Sequence, residues 1–148
     1  MSTEANKAVV RRYFEEYLNE GKGVIGDDLF APDYRAHVPQ QQYVLSTPAP
    51  LNRDQHDHVS ITFFQAFPDA HFTVEDMIAE RELVVSRYTF RGTHTGTWFV
   101  LPEISPSGKL IEATGYETHR IVNGRIVEQW SLADFFALQR QSTGQLAR

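Results

Sequence analysis

The chain has 148 residues, of which 41% are hydrophobic and 22% charged, with a formal net charge of -5 at neutral pH. These values suit one globular domain over residues 1–148 and argue against a disordered chain. The mild acidity leaves no basic face to neutralise phosphates, so nucleic acid is not an expected partner, and the lack of cysteine removes disulfides, thiolate metal sites and a cysteine nucleophile.

No run approaches the roughly 20 apolar residues of a membrane span. The segment after Met1 lacks the basic and then apolar layout of a secretory signal, so a cytoplasmic protein without a membrane partner is expected. Residues 4–20 read as the first helix. Val9, Val10, Tyr13, Phe14, Tyr17 and Leu18 recur on one face, with Arg11, Arg12, Glu15 and Glu16 on the other. Thr3 is the expected N-cap, and Gly21-Lys22-Gly23 stops the helix. A short helical turn around Asp27 to Phe30 then runs into Ala31-Pro32-Asp33-Tyr34. Pro39, Pro48, Pro50 and a run of glutamines make residues 38–52 a loop, long for so small a domain.

A second helix is expected over residues 53–66, closed by Pro68-Asp69. Val59, Phe63, Phe64 and Phe67 form its inward face, and His56 shares that face two turns before Phe63, whereas His58 points elsewhere. From residue 70 the period becomes two. Strands are expected over about 72–78 and 83–91, and again over about 109–121 and 126–134, the last two joined at Asn123-Gly124, the strongest short hairpin signal. Residues 135–141 read as a short terminal helix. Helices followed by antiparallel strands indicate α+β, with N-terminal helices packed over a strongly curved antiparallel sheet that encloses one pocket.

Three segments carry a family resemblance: Phe67-Pro68-Asp69 with Phe72-Thr73-Val74-Glu75-Asp76; Arg87 through Gly96; and Asn123 through Trp130 with Asp134 four residues later. In order and over nearly the whole chain they resemble the SnoaL-like polyketide cyclases, or ester cyclases, of the nuclear transport factor 2-like superfamily. The resemblance implies a cone-shaped α+β barrel, a homodimer, and ring closure of a polyketide by intramolecular aldol condensation without metal or cofactor. The same scaffold also hosts isomerases, dehydratases, epoxide hydrolases and plain binding domains.

Counting back from a two-residue Asn123-Gly124 loop places His119 opposite Glu128, Glu117 opposite Trp130, Gly115 opposite Leu132 and Ala113 opposite Asp134, all on one side of the sheet. That side carries Ile121, Ile126, Trp130 and Leu132 and is the expected pocket wall. Asp134 would then enter an apolar concavity, lose hydration and gain a raised pKa suited to proton transfer. Its position also resembles the acid/base aspartate of the family's cyclases; the competing reading is an N-cap of the terminal helix. His119 is the second catalytic candidate, since a histidine just before the hairpin occurs in such cyclases, yet about 20 Å of strand separates it from Asp134. A rim pair with Glu128 is the alternative.

The expected ligand contacts are Tyr13, Tyr17, His37, His56, Arg87, Trp98, Glu117 and Trp130. One of the two tyrosines packs and the other touches ligand; His37 and His56 are either pocket groups or satisfied core histidines. Arg87 joins Phe72 and Val74 if residues 80 and 81 form the turn, and there it needs an acid or an anionic ligand. The six histidines show no metal-ligand spacing, and His56-Asp57-His58 diverges on a helix, so no metal is expected. The leading reading is a cofactor-independent acid/base enzyme acting on a hydrophobic, carbonyl-rich small molecule. The alternatives are a hydrolase or isomerase on the same scaffold and a non-catalytic binding or dimerisation domain. The outer face, with Tyr88, Phe90, Thr118 and Gln129, is the expected dimer contact.

Overall fold

The computed structural model describes residues 2–39 and 49–144. Helix α1 (Thr3–Arg12) starts at Ser2, not Thr3: the Ser2 hydroxyl accepts from the Ala5 amide at 3.1 Å. It continues through Tyr13–Glu20 as a wider i→i+5 turn, closed by the Gly21 amide on Glu16 O at 2.9 Å. Widening brings Tyr13 and Tyr17 onto one line, their rings stacked at 5.3 Å. Helix α2 (Arg53–Ala66) has the expected bounds and starts in a reciprocal capping box between Asn52 and Gln55. Helix α3 is Phe135–Thr143, ended by Gly144 in the left-handed conformation.

The sheet holds five strands: β1 (Phe30–His37), β2 (His71–Glu80), β3 (Leu83–Thr93), β4 (Leu110–Val122) and β5 (Arg125–Ala133), in the order β1-β5-β4-β3-β2. β1 is a correction to the sequence reading, which put a helical turn and a Pro-Asp-Tyr bend there. It pairs parallel to β5, so the sheet is mixed, not wholly antiparallel. Pro32 is tolerated because β1 is an edge strand with an irregular register between Phe30 and Arg35. Among the described residues the sheet is an open five-stranded one with β1 and β2 as its edges, not the closed barrel expected. The loop expected over 38–52 falls largely on residues 40–48, which lie outside the described residues.

Two bulges decide which side chains face the helices. The β4–β5 turn forms as expected, with Asn123 and Gly124 at φ 51° and 74° and Val122 opposite Arg125. Beyond it Ile121 pairs Ile126 but Arg120 pairs Glu128, leaving Val127 as an extra residue. From there every pair slips by one, so His119 faces Gln129, Glu117 faces Ser131 and Gly115 faces Ala133. The β2–β3 turn falls at Arg81-Glu82, and the register shifts again between Val74 and Asp76. Arg87 consequently lies opposite Asp76 on the outer face.

The core lies between α1, α2 and the inner sheet face, where Phe63, Phe67, Phe72 and Phe90 make edge and stacked contacts near 5–6 Å. Gly115 is required on the inner face because the Tyr88 ring occupies the space a Cβ would take. Tyr88, Phe90 and Gln129, expected on the outside, are buried here. The exposed apolar side chains of the outer face include Ile78, Val85, Tyr116 and Leu132. Among the described residues no helix is long and apolar enough to cross a membrane.

Candidate active site

Between the helices and the inner face lies a half-open cavity of about 100 Å³. Its walls are mostly aromatic and aliphatic, including Phe63, Phe64, Phe72, Phe90, Trp98 and Leu138. Its polar lining comes chiefly from Tyr13, His56, Ser60, Glu117 and Ser131, with Asp134 among the lining residues; among the described residues no lysine or arginine lines it.

Glu117 is the buried carboxyl of this cavity. The β4 register points it inward, opposite Ser131, whose hydroxyl donates to Oε1 at 3.2 Å. Oε2 is buried without a hydrogen-bond partner among the described residues. Burial pushes the carboxyl up to about 8, against the opposing pull of hydrogen bonds from Ser131 and Tyr13. His119 Nε2 stands 3.6 Å from Oε2, but burial lowers His119 to about 3. At neutral pH the two are therefore an uncharged acid beside an uncharged imidazole, not an ion pair.

Gln129 connects the polar groups behind the wall. Its Nε2 donates to Tyr13 OH at 3.0 Å and Ser131 Oγ at 2.7 Å, while its Oε1 accepts from Tyr34 OH at 2.9 Å and lies 3.1 Å from His119 Nε2. Tyr34 OH also meets His56 Nδ1 at 3.2 Å, and burial lowers His56 to about 4, helped by Arg53. Tyr13, Tyr17 and Tyr34 are all pushed well above the usual phenol range by burial, so each keeps its proton.

The structure distributes the expected site residues unevenly. Tyr13, His56, Trp98, Glu117 and Asp134 line the cavity. Tyr17 stands behind it, its hydroxyl donating to Asp57 at 2.8 Å and accepting from Ser60 at 3.1 Å. His119 is wholly buried behind the lining, against Glu117 and Tyr13 and hydrogen-bonded to Gln129. Three expected contacts are corrected. Trp130 faces away from the cavity, stacked on His37 at 5.2 Å with Arg120 over it at 5.7 Å, because the Val127 bulge reversed its side. His37 bonds Glu128 at 2.7 Å in that same outer cluster. Arg87 is exposed and bonded to Asp76 at 2.7 Å, for the reason given by the β2–β3 register.

Asp134 does not occupy the dry hollow expected of it. It follows the end of β5, is solvent-exposed, and accepts from the Ala137 amide at 3.0 Å as the N-cap of α3. Its carboxylate therefore stays in contact with water. Sequence reasoning missed Gln129, Ser131 and Tyr34. The expected register put Gln129 on the outer face, and Ser131 with it by alternation, while Tyr34 lay in the segment that follows the expected helical turn.

The model of the SnoaL-like polyketide cyclases matches residues 8–142. Among solved structures, a candidate polyketide cyclase from Acidithiobacillus ferrooxidans is 23% identical over 97% of this chain and 99% of its own, with a TM-score of 0.80. IdmH, a candidate polyketide cyclase from Streptomyces antibioticus, is 29% identical over 92% of this chain and 96% of its own, with a TM-score of 0.78. AclR, a candidate hydroxylase from Streptomyces galilaeus, is 21% identical over 97% and 99% of the two chains, with a TM-score of 0.78. No curated protein matches the chain. A family model covering nearly the whole length, together with a shared fold of this extent, places the chain in the SnoaL-like polyketide cyclase family.

Proposed function

We propose that this protein is a cofactor-independent enzyme that moves protons on a small, hydrophobic carbonyl compound, with Glu117 as the proton carrier. One observation supports this above the others: a carboxyl lines an apolar cavity with no lysine or arginine beside it among the described residues, so burial keeps it protonated at neutral pH. Such an acid donates to a carbonyl oxygen or to a developing alkoxide, where a preformed donor in a dry site is worth far more than in water. An intramolecular aldol closure, the chemistry suggested by the family, needs a donor of this kind at its oxygen.

The cavity is smaller than the one of about 150 Å³ that holds benzene in an engineered protein. A group no larger than one ring enters, and the rest of the substrate lies toward the half-open mouth, near Asp134 and Phe135. Asp134 stays in the proposal as a mouth residue and α3 cap. The Asp–Arg–Asp arrangement of an epoxide hydrolase has less support, since Arg87 is committed to Asp76 on the outer face. A homodimer through the outer face belongs to the same proposal, and Ile78, Val85, Tyr116 and Leu132 supply its apolar patch.

Glu117→Gln tests the role, because the amide keeps shape and hydrogen bonding but holds no transferable proton. With a polyketide-type carbonyl substrate that the wild type turns over, kcat is expected to fall by about 10²–10⁴-fold with KM little changed. Asp134→Asn, which still caps, is expected to stay within about tenfold of wild type. A Glu117→Gln enzyme as active as wild type removes the proposal.

A further inference from the structure

Within the cavity, one carboxyl supplies a proton, and the hydrogen-bond directions identify a group that accepts one. Each neighbouring hydroxyl has a single proton to place. Ser131 donates to Glu117 Oε1 at 3.2 Å, so its hydroxyl can only accept on its other side. The Ser131 and Tyr13 hydroxyls face the same end of Gln129, at 2.7 and 3.0 Å, so that end is the amide NH2 and the opposite end is the oxygen.

The remaining directions follow from that orientation. An amide oxygen only accepts, so Tyr34 OH and His119 Nε2 both donate to it, at 2.9 and 3.1 Å. Tyr34 has then used its only proton. At 3.2 Å from His56 Nδ1 it can only accept, which fixes the proton of the His56 ring on Nδ1. Nε2 keeps its lone pair. His56 is 4% exposed, lines the cavity, and makes no hydrogen bond through Nε2 among the described residues.

We infer that Gln129 is a positioning residue which, through Tyr34, holds His56 as the cavity's hydrogen-bond acceptor, so that the site selects a ligand presenting a hydroxyl proton to His56 Nε2. The inference rests on the cavity being the ligand site proposed above. It pairs a donor, Glu117, with an acceptor, His56, in a pocket lined by no lysine or arginine among the described residues. Neutral hydroxycarbonyl compounds, or carbonyl compounds in their enol form, match that pair, whereas an O-methylated analogue leaves the imidazole lone pair unsatisfied.

The ring tautomers are read directly by long-range 1H–15N spectra of protein labelled in histidine, without any substrate. Wild type at neutral pH is expected to show His56 protonated on Nδ1 and His119 on Nε2. In Gln129→Leu, Tyr34 loses its acceptor, donates to His56 Nδ1, and the His56 proton moves to Nε2. Gln129→Glu keeps an acceptor for Tyr34 and is expected to keep the wild-type His56 tautomer, a rescue that a merely space-filling role for Gln129 does not produce. Phenol and anisole, both about one ring in size, then probe selectivity by titration of the same spectra. Phenol should bind about tenfold more tightly than anisole, the worth of one hydrogen bond, with a shift at His56 Nε2. His56 carrying its proton on Nε2 in wild type, an unchanged tautomer in Gln129→Leu, or equal affinities for the two probes overturns the inference. None of these outcomes depends on Glu117 turnover, which the Glu117→Gln kinetics test separately.

Discussion

Glu117 and the two histidines beside it give the protein opposing responses to pH. The Glu117 pKa rises from 4.5 to about 8, so the folded state binds a proton there that the unfolded state has released. That contribution is complete below pH 4.5 and is lost as pH rises through about 8. His56 and His119 fall from 6.5 to about 4 and about 3, so their contribution is complete above 6.5 and is lost as pH falls toward those values. Between 6.5 and about 8 Glu117 acts without opposition from the histidines. Urea unfolding midpoints are therefore expected to decline over that interval in wild type and to stay level in Glu117→Gln, while both proteins lose stability in acid. The same alkaline decline in the variant would show that another group is responsible. From sequence, Glu117 was a carboxylate opposite Trp130, buried or at an edge; its neighbour in space is Ser131, and that change makes it an uncharged acid.

At the scale of elements, one residue in β5 decides the site. Without Val127 as a bulge, Trp130 and Leu132 would point into the cavity, and Gln129 and Ser131 out of it. Deleting Val127 forces a choice between burying Glu128, Trp130 and Leu132 and giving up the pairing with β4. The deletion is expected to cost more than about 4 kcal/mol, whereas Val127→Ala, which keeps the residue count, should cost about 1 kcal/mol. Denaturant unfolding followed by circular dichroism distinguishes them, and a deletion no worse than the alanine variant would contradict this account. The helices were far more legible. Arg53–Ala66 has the bounds expected from its periodicity and from Pro68, because helix ends are set by local capping groups. The β4–β5 turn was equally legible, since Asn-Gly fits its two positive φ values. The bulge has no comparable local signature, and a single miscount reverses every later side chain.

Across the whole molecule, an open sheet is covered by helices on one face and leaves Ile78, Val85, Tyr116 and Leu132 exposed on the other. A second copy is the proposed cover, and sedimentation equilibrium is expected to report twice the chain mass. Tyr116→Arg combined with Leu132→Asp should give monomers with an unchanged circular dichroism spectrum. A wild type that sediments as a monomer at high micromolar concentration would remove the dimer from the proposal. The edges of the sheet also explain why β1 was missed. Phe30–His37 contains a proline and an interrupted alternation, and it becomes a strand only because β5 lies alongside to pair with it.

The amino-acid sequence alone determined the helices, the β4–β5 hairpin, the α+β class and the family, since each rests on local periodicity, capping and turn residues, or on motifs read in order. It also placed Tyr13, His56, Trp98, Glu117 and Asp134 among the candidates, all of which line the cavity. Only the tertiary structure decided which carboxyl is dry and which is wet, with Glu117 enclosed and Asp134 exposed as a cap. The physical reason is that desolvation and hydrogen-bond partners depend on strand register, and register here was set by a bulge whose energy comes from packing between distant segments, not from the residues that form it.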